Sequence, residues 1–365
     1  MPPRPDVQAH GPPCLRALCP TLDLPWVPLG QFPTPVERLS GLDEATGAEV
    51  WIKRDDRSGA LYGGNKVRKL ELLLARACVD GDDAAVTIGA YGSHHALATA
   101  IYARALGLRA HLVLYPQPLT EHVLDDLLLD HAFGAELTRV SHPVFAPYRS
   151  ERVAARLGSA ARIPAGGSNA LGTVGFVEAG LELAAQVAEG ALPCPDAIVV
   201  AAGTCGTAAG IALGCELAGL ETRVVAVRVV PRLIANGLNL RRLRRGALAL
   251  LRKAGLGAPL QSRVPVTIET QQLGRGYGAS TPAAEDAVRR MAAVGIEVET
   301  TYTGKAAAAL FRPGAFAEQR VLFWHTYSSV DLSSTLAEVD PRALPAAFRP
   351  VLIEGGRLPA EEPCP

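Results

Sequence analysis

Hydrophobic and polar positions divide most of the chain into short apolar runs that alternate with longer amphipathic runs. The short runs are rich in β-branched residues and predict strands at 50–53, 85–89, 109–114, 136–140, 197–202, 223–229, 265–270 and 320–325. The longer runs predict helices at 65–79, 93–107, 120–132, 147–157, 170–188, 206–219, 231–254, 281–294 and 305–311. A repeated strand–helix order is typical of parallel sheets covered by helices, so we expect the α/β class.

The number of domains follows from the length and from the unbroken alternation. A chain of 365 residues predicts about two domains. No linker interrupts the alternation, so we expect the two domains to share the chain in a nested arrangement. The first 25 residues are proline-rich and are expected to form a flexible extension.

Charge and composition exclude several classes of protein. Lys plus Arg and Asp plus Glu number 36 each, so no broad field attracts nucleic acid or an anionic membrane. The run Arg241, Arg242, Arg244 and Arg245 is expected to be a solvated helix face. Residues 197–215 carry no charge but are rich in glycine and threonine, which predicts a buried strand, a loop and a packed helix rather than a membrane span.

Cysteine usage indicates a reducing compartment. The seven cysteines show no tight spacing, and the N-terminus lacks the apolar core of a secretion signal, so we expect reduced thiols and a cytoplasmic protein. Neither Cys-x-x-Cys nor His-Glu-x-x-His occurs, so no metal site is predicted.

A glycine pair precedes a lysine at the start of the first long helix. Asn65 separates Gly64 from Lys66 and no Ser or Thr follows, which excludes a phosphate-binding P-loop. Glycines let a planar ligand approach the backbone closely. Lysine accounts for only five of the 36 basic residues, and only an amine forms a Schiff base, so Lys66 is a candidate nucleophile. An ordinary lysine at a helix start remains the alternative.

Two further segments lie where a strand meets a helix. Ser93 follows the run at 85–89, where it can cap a helix or help to bind an anion; a plain N-cap is the alternative to a catalytic role. His94 and His95 are adjacent on a helix and point in different directions, so joint metal ligation is not expected. The glycine-rich segment 201–210 exposes backbone N–H groups at a helix start, which favours a phosphate site over a cluster of packing glycines. It does not match Gly-x-Gly-x-x-Gly, so a dinucleotide fold is disfavoured.

Taken together, these segments resemble the fold-type-II pyridoxal-phosphate enzymes of the 1-aminocyclopropane-1-carboxylate (ACC) deaminase and D-cysteine desulfhydrase group, which are tryptophan synthase β-like. The resemblance covers about residues 30–330. It is carried by Gly63-Gly64-Asn65-Lys66-x-Arg68-Lys69-Leu70-Glu71, Ser93-x-His95, Gly166-Gly167-Ser168-Asn169, Gly203–Gly210, Gly276-Tyr277-Gly278, Tyr302-Thr303-Gly304-Lys305 and Trp324-His325-Thr326.

The resemblance implies two three-layer αβα domains with mostly parallel sheets and pyridoxal 5'-phosphate in the cleft between them. Residues 26–60 and 162–340 would form the larger, cofactor-binding domain. Residues 61–161 would form the smaller domain nested within it, and residues 341–365 a C-terminal tail. A homodimer is also expected.

Each matched position acquires an implied role. Lys66 would hold the cofactor as a Schiff base and move the α-proton, and Ser93 would lie beside the substrate carboxylate as a second acid, base or nucleophile. The implied catalytic residues are Lys66, Ser93, Tyr277 and Tyr302. The implied cofactor contacts are Asn65, Lys66, His94, Thr204, Cys205, Gly206, Thr207, Thr303 and Thr326, and the implied substrate contacts are Ser93, His94, His95, Tyr277 and Tyr302.

Two positions depart from the family pattern. His94 stands where an asparagine usually contacts the cofactor's ring oxygen. Tyr327-Ser328-Ser329 replaces a glycine pair and is expected to add bulk near the pocket.

The resemblance also bears on the reaction. The deaminase branch has a glutamate after the tyrosine, whereas this chain has Tyr302-Thr303. Neutral hydroxyls of Thr303 and Thr326 near the pyridine nitrogen would leave it unprotonated, which favours β-elimination over opening of a cyclopropane. We therefore expect a small amino acid to yield a keto acid and ammonia, with sulfide if the substrate is cysteine. An ACC deaminase, a racemase, a dehydratase or a sulfo-lyase of this fold, and a cofactor-free binding protein are the alternatives.

Overall fold

The computed structural model describes residues 7–359, and its strands fall where the short apolar runs occur. The strands are β1 (Val36–Arg38), β2 (Glu49–Lys53), β3 (Ala84–Ala90), β4 (Arg109–Tyr115), β5 (Glu136–Arg139), β6 (Ala160–Arg162), β7 (Ala197–Ala202), β8 (Arg223–Arg228), β9 (Val266–Glu269) and β10 (Arg320–Trp324). All eight predicted strands are confirmed, to within two residues at each end. Two strands of three residues, β1 and β6, were not predicted.

The helices follow the longer amphipathic runs. They are α1 (Pro13–Leu18), α2 (Asp43–Thr46), α3 (Lys66–Val79), α4 (His94–Ala105), α5 (Glu121–Ala132), α6 (Ala146–Leu157), α7 (Ala170–Ala188), α8 (Gly206–Ala218), α9 (Gly237–Lys253), α10 (Pro282–Ala293), α11 (Thr303–Leu310), α12 (Ser333–Ala337) and α13 (Arg349–Glu354). The helix predicted from residue 231 begins only at Gly237, because the side chain of Asn236 caps it by accepting the N–H of Asn239.

The strands form two sheets. A six-stranded sheet has the order β1-β2-β10-β7-β8-β9 and is parallel except for the β1–β2 pair. A four-stranded sheet has the order β5-β4-β3-β6 and is parallel throughout. The central strand β7 is fully buried, as its continuous apolar sequence requires. The α/β class with mostly parallel sheets is therefore confirmed.

The chain divides into two units that differ in extent from the predicted domains. The larger unit spans residues 7–76 and 167–330, and the smaller unit spans 77–166 and continues from residue 331. Residues 61–76, assigned from the sequence to the smaller domain, belong to the larger unit because buried ion pairs of Arg68 join α3 to the segment after β2 and to α7. The outermost residues of the predicted extension and tail, 1–6 and 360–365, lie outside the described residues.

The N-terminal segment from residue 7 is packed, not flexible as predicted. Leu15 and Leu22 are completely buried in an apolar cluster with residues of α7 and α9. The carboxylate of Glu178 accepts the backbone N–H groups of Cys14 and Leu15 at 2.7 and 2.8 Å. The hydrophobic residues between the prolines supply the burial that fixes this segment on the larger unit.

The C-terminal segment is likewise part of the smaller unit rather than a tail. Phe348 is completely buried and meets the ring of Tyr91 edge-on, with centroids 5.9 Å apart. The guanidinium of Arg357 pairs with Asp125 of α5. These contacts explain why the segment belongs to the smaller unit.

The uncharged stretch at 197–215 forms the buried strand β7, a loop and the buried helix α8, as predicted. Within residues 7–359, one helix, α7, is long and apolar enough to cross a membrane. Of its most apolar window, 72% is buried, and α7 packs against α8 and α9 as a core helix.

Candidate active site

Lys66 is the first residue of α3 and follows a loop that two other segments hold in place. The N–H groups of Gly64 and Asn65 donate to the carbonyls of Asp55 and Thr326 at 2.8 and 3.2 Å. Gly64 has a φ of +86°, and a Cβ there would lie 2.7 Å from the carbonyl oxygen of Thr326. Only glycine fits this close approach without strain, so the loop sequence fixes where the lysine begins the helix.

Ser328, one of the departures from the family pattern, supports this loop. Its Oγ accepts the N–H of Gly63 at 2.9 Å. The hydroxyl and the N–H of Ser329 both donate to the carbonyl of Asp56, at 3.1 Å each. The two serines therefore hold the loop before Lys66, a supporting role that the sequence comparison with the family did not reveal.

The side chain of Lys66 is half-buried. Burial lowers the pKa of Lys66 to about 8. A lysine with such a pKa is partly neutral near physiological pH, and the neutral amine is the form that attacks a carbonyl carbon. Lys66 therefore has the electrostatic character of a nucleophile.

Two other residues of the lysine motif are structural. The guanidinium of Arg68 is buried and binds Asp55 and Glu182 with two hydrogen bonds each, at 2.8–3.0 Å. Lys53 also contacts Glu182, and these two cations hold the pKa of the Glu182 carboxyl at about 2 although burial alone would raise it. Glu71 accepts the indole N–H of Trp26 at 3.0 Å, and burial raises its pKa to about 7.

The loop between β7 and α8 forms a cradle at a helix N-terminus. Cys205 has a left-handed φ of +66°, which turns the chain so that α8 starts at Gly206. The side-chain amide of Asn65 donates to Thr207 Oγ1 at 3.1 Å, so this loop lies beside the loop of Lys66. Burial raises the pKa of the Cys205 thiol, which therefore stays protonated.

Lys69 and Ser168 complete the cradle, and neither was among the predicted site residues. Ser168 Oγ lies 3.0 Å from Lys69 Nζ and 2.6 Å from Thr204 Oγ1. A Cβ on Gly206 would lie 2.6 Å from Ser168 Oγ and 3.2 Å from Lys69 Nζ, so the cradle has no room for a side chain there. Burial, and after it the charge of Lys66, lowers the pKa of Lys69 well below its usual value. A helix N-terminus flanked by hydroxyls and an amine suits a phosphate group.

Tyr277 and Tyr302 form a hydrogen-bonded pair. Their hydroxyl oxygens are 2.8 Å apart, and their rings meet edge-on with centroids 5.8 Å apart. A Cβ on Gly203 would lie 3.5 Å from Cε1 of Tyr302, which places the pair next to the cradle. Both tyrosines were predicted from the sequence, and the structure brings them together.

Glu299 and Lys305 hold the two tyrosines in place. Neither residue was assigned a role from the sequence. The carboxylate of Glu299 accepts the N–H groups of Thr301, Tyr302 and Thr303 at 2.6–3.1 Å. The amine of Lys305 is buried and donates to the carbonyls of Leu273 and Gly276 at 3.0 Å, just before Tyr277. Each tyrosine is therefore held by a charged side chain.

Thr303 and Thr326, the predicted contacts of the pyridine nitrogen, are both buried. The hydroxyl of Thr303 donates to Glu299 Oε1 at 3.1 Å and accepts the Glu299 N–H at 3.1 Å. The carbonyl of Thr326 accepts the N–H of Asn65. The contact of either hydroxyl with a cofactor ring stays a prediction.

In the smaller unit, Ser93 caps α4 and its Oγ accepts the N–H of Ala96 at 3.3 Å. His95 is buried, with Nε2 3.0 Å from Thr87 Oγ1 on β3. His94 Nε2 lies 2.7 Å from Nε2 of His122 on α5. The cap that Ser93 forms agrees with the simpler interpretation of this residue and leaves its catalytic role as a prediction.

Comparisons with known proteins identify the family. The family model described as "Pyridoxal-phosphate dependent enzyme" matches residues 27–326. A bifunctional D-cysteine desulfhydrase/1-aminocyclopropane-1-carboxylate deaminase of Arabidopsis thaliana is 33% identical over 84% of this chain and 80% of its own length. A D-cysteine desulfhydrase of Klebsiella pneumoniae strain 342 is 36% identical over 76% of this chain and 85% of its own.

The fold comparison agrees with the sequence comparisons. The crystal structure of an ACC deaminase homologue superposes with a TM-score of 0.75 at 31% identity and covers 90% of this chain and 99% of its own. A maize serine racemase superposes with a TM-score of 0.57 at 19% identity over 90% of this chain and 97% of its own, and it supports the fold alone. These matches establish that the chain belongs to the family of pyridoxal-phosphate dependent enzymes, with the type-II fold.

Proposed function

We propose that this enzyme catalyses β-elimination from a small amino acid, as a D-cysteine desulfhydrase does, and releases a keto acid and ammonia. The observation that carries the proposal is the position of Lys66. This residue begins α3 beside the cradle at Gly206, and its amine has a lowered pKa. The relatives named D-cysteine desulfhydrase, at 34–36% identity, support the choice of substrate.

The described residues fit the cofactor. Lys66 would bind it covalently as a Schiff base through Nζ. Its phosphate would be held by Lys69, Ser168, Thr204 and the backbone N–H groups at the start of α8. When bound, pyridoxal phosphate supplies the electron sink that lets the bond to the α-hydrogen break.

The chain's own groups would then move protons. The amine of Lys66 is suited to take the α-proton because its low pKa keeps a fraction of it neutral. The hydrogen-bonded hydroxyls of Tyr277 and Tyr302 are suited to donate a proton to the departing group. With cysteine, the Cβ–S bond breaks and hydrosulfide leaves. The 2-aminoacrylate that is released tautomerises to its imine, which water hydrolyses to pyruvate and ammonia.

ACC deamination is the second candidate, and the bifunctional plant relative favours it. Thr303 argues against it, because a carboxylate at this position would favour a protonated pyridine nitrogen and a deeper electron sink. Thr303 itself carries no charge, and its hydroxyl donates to the carboxylate of Glu299 at 3.1 Å.

A substrate panel tests the proposal. Purified holoenzyme is incubated with D-cysteine, L-cysteine, β-chloro-D-alanine, D-serine and ACC, and the keto acid, ammonia and sulfide formed are measured, with the Lys66→Ala variant as the blank. We expect keto acid from D-cysteine and β-chloro-D-alanine. Turnover of ACC alone would favour the deaminase, and no keto acid from any compound would overturn both.

We also propose a cytoplasmic homodimer. Support for the compartment comes from six free cysteines among residues 7–359. Support for the dimer comes from the apolar side chains Leu233 and Leu238, which are 93% and 73% exposed. Light scattering of the wild type and of a Leu233→Asp/Leu238→Asp variant tests the dimer, and a monomeric mass for the wild type would refute it.

A further inference from the structure

Two histidines and an aspartate converge in the smaller unit, outside the cradle and the tyrosine pair. His94 is the first residue of α4, and His122 and Asp126 lie one turn apart on the same face of α5. The Nε2 atoms of the two histidines are 2.7 Å apart. Asp126 Oδ2 lies 3.7 Å from His94 Nε2 and 3.6 Å from His122 Nε2. We propose that His94, His122 and Asp126 form a binding site for a divalent transition-metal ion, with Zn²⁺ as the ion it suits best.

The donor atoms suit this ion in kind. Two imidazole nitrogens and one carboxylate oxygen form a mixed N/O set that Zn²⁺ binds well, whereas Mg²⁺ and Ca²⁺ prefer oxygen alone. Three protein ligands leave a fourth tetrahedral position for water. The site is therefore of the open kind and not the closed, four-ligand kind.

The donor atoms also suit this ion in distance. Ligands at about 2.1 Å from a tetrahedral ion are separated from one another by roughly 3.4 Å. The two distances to Asp126 Oδ2 are within about 0.3 Å of that value. The histidine nitrogens must separate by about 0.7 Å, and the side chain of His122, which is 33% exposed, has the freedom to turn outward.

Local structure holds the three ligands in place. Ser93 caps α4 immediately before His94, and Thr120 caps α5 two residues before His122, each through a 3.3 Å bond to a backbone N–H. The Asp126 side chain is almost fully buried, so it provides a negative charge in a setting of low polarity. A bound ion would fix the first turn of α4 to α5.

The site escaped sequence analysis because its ligands are far apart in the chain. His122 and Asp126 have the i, i+4 spacing of a helical metal pair, but the third ligand is 28 residues before His122. The adjacent residue His95 is not a ligand, because its Nε2 lies 3.0 Å from Thr87 Oγ1 on β3.

Metal titration of the holoenzyme tests the site. Holoenzyme freed of metal with a chelator is titrated with Zn²⁺ by calorimetry, and with Co²⁺ while its visible d–d absorbance is recorded, in the absence of amino acids that bind metals. We expect one equivalent per chain and a rise in Tm that saturates with it. His122→Ala and Asp126→Asn should each weaken Zn²⁺ binding at least tenfold.

Two controls distinguish Zn²⁺ binding at these three ligands from binding elsewhere and from the proposed activity. His131→Ala removes another histidine of α5 and should leave the titration unchanged. His94 is also a predicted cofactor and substrate contact, so the ligand variants are made at His122 and Asp126, which are not, and Zn²⁺ binding is measured separately from substrate turnover. Equal Zn²⁺ affinity in the wild type and both ligand variants, or equal loss in His131→Ala, would overturn the proposal and leave a hydrogen-bonded histidine pair.

Discussion

The phenol oxygens of Tyr277 and Tyr302 lie 2.8 Å apart, although the two residues stand on separate loops of the larger unit. At that distance one hydroxyl donates to the other, so removing either oxygen removes the hydrogen bond of both. The pair therefore acts as a unit, and its two members should not contribute independently to turnover.

This coupling predicts the behaviour of the tyrosine variants. Tyr277→Phe and Tyr302→Phe should each lower kcat on the order of 100-fold, a typical loss for a general acid, with unchanged cofactor content. The double variant should lose little more than either single variant, because one hydrogen bond joins them. Steady-state kinetics with the best substrate of the panel measures all three, and additive losses would contradict the coupling.

The pKa of Lys66 predicts how the cofactor-free enzyme takes up pyridoxal phosphate. With a pKa of about 8, roughly a tenth of the amines are neutral at pH 7, against fewer than about one in a thousand at the ordinary 10.5. The rate of covalent uptake should therefore rise with pH and level off above pH about 8. Stopped-flow absorbance follows the uptake.

Peptide mapping then locates the bond. Borohydride reduction should place the pyridoxyl group on Lys66, and Lys66→Ala should abolish the covalent link. The exposed Lys253 provides the control, since Lys253→Ala should behave as the wild type. A pyridoxyl group on any other lysine, or uptake that keeps rising to pH 10, would contradict the assignment.

The tight cradle predicts a selective effect at Gly206. In Gly206→Ala the new methyl group would lie 2.6 Å from Ser168 Oγ, so either Ser168 or the start of α8 must shift. We expect the Kd of pyridoxal phosphate to rise at least tenfold, as measured by fluorescence titration. Gly257→Ala is the matched control, because a Cβ there meets no atom within 4 Å. Equal affinities of the two variants would argue against a phosphate at this loop.

Ser93 can be tested against a matched helix cap. Ser93→Ala and Thr120→Ala each remove a 3.3 Å cap bond, and each should lower the free energy of unfolding by about 0.5–2 kcal/mol. Only Ser93→Ala should also lower kcat per bound cofactor if its hydroxyl takes part in the reaction. If the two variants keep the same kcat, Ser93 is a cap and nothing more.

The buried charges around Glu182 predict a dependence of stability on pH. Its pKa falls from the ordinary 4.5 to about 2 in the folded protein because Arg68 and Lys53 outweigh the effect of burial. A lowered pKa of an acid adds stability that is fully present above pH 4.5 and is lost as the pH falls towards 2. Denaturant unfolding between pH 7 and 3 should show this loss.

The Glu182→Gln variant tests whether this network causes the loss of stability at low pH. Glu182→Gln should be less stable at pH 7 by a few kcal/mol, because it leaves two buried cations without their shared partner. It should also show a flatter decline of stability below pH 4.5. Glu338→Gln, at an exposed position, should follow the wild type throughout. A wild-type profile in Glu182→Gln would show that the network does not govern acid stability.

Sequence patterns predicted most of the architecture because several strands are continuous apolar runs, such as 197–202, and all of them alternate with longer helical runs. β1 escaped prediction because Val36-Glu37-Arg38 contains one apolar residue and pairs only at the edge of the sheet. The burial of Phe348 and Leu15 could not be foreseen either, since proline-rich surroundings resemble a loose terminus until distant partners are known.

The candidate site could be proposed from the sequence where its residues occur in local motifs. Lys66, the loop at Gly206 and the two tyrosines follow from strand–helix junctions and the family resemblance. Glu299 did not, and Lys305 stood in a family motif without an assigned role, because both act through hydrogen bonds to backbone groups that only folding brings near. The same holds for Ser328, whose hydroxyl meets Gly63 across 265 positions of sequence.

That long-range contact affects the order in which the site can form during synthesis. Among the strands of residues 7–359, β10 is the last to be synthesised, yet it lies in the middle of the larger sheet, between β2 and β7. Two groups that hold the loop before Lys66 follow β10 directly. The carbonyl of Thr326 accepts the N–H of Asn65, and the hydroxyl of Ser328 accepts the N–H of Gly63. On the ribosome, a chain that has reached only residue 310 contains Lys66 and the cradle but not the segment that fixes the lysine's loop. We therefore expect the nascent chain to acquire its cofactor only after β10 and the serines that follow it have left the exit tunnel.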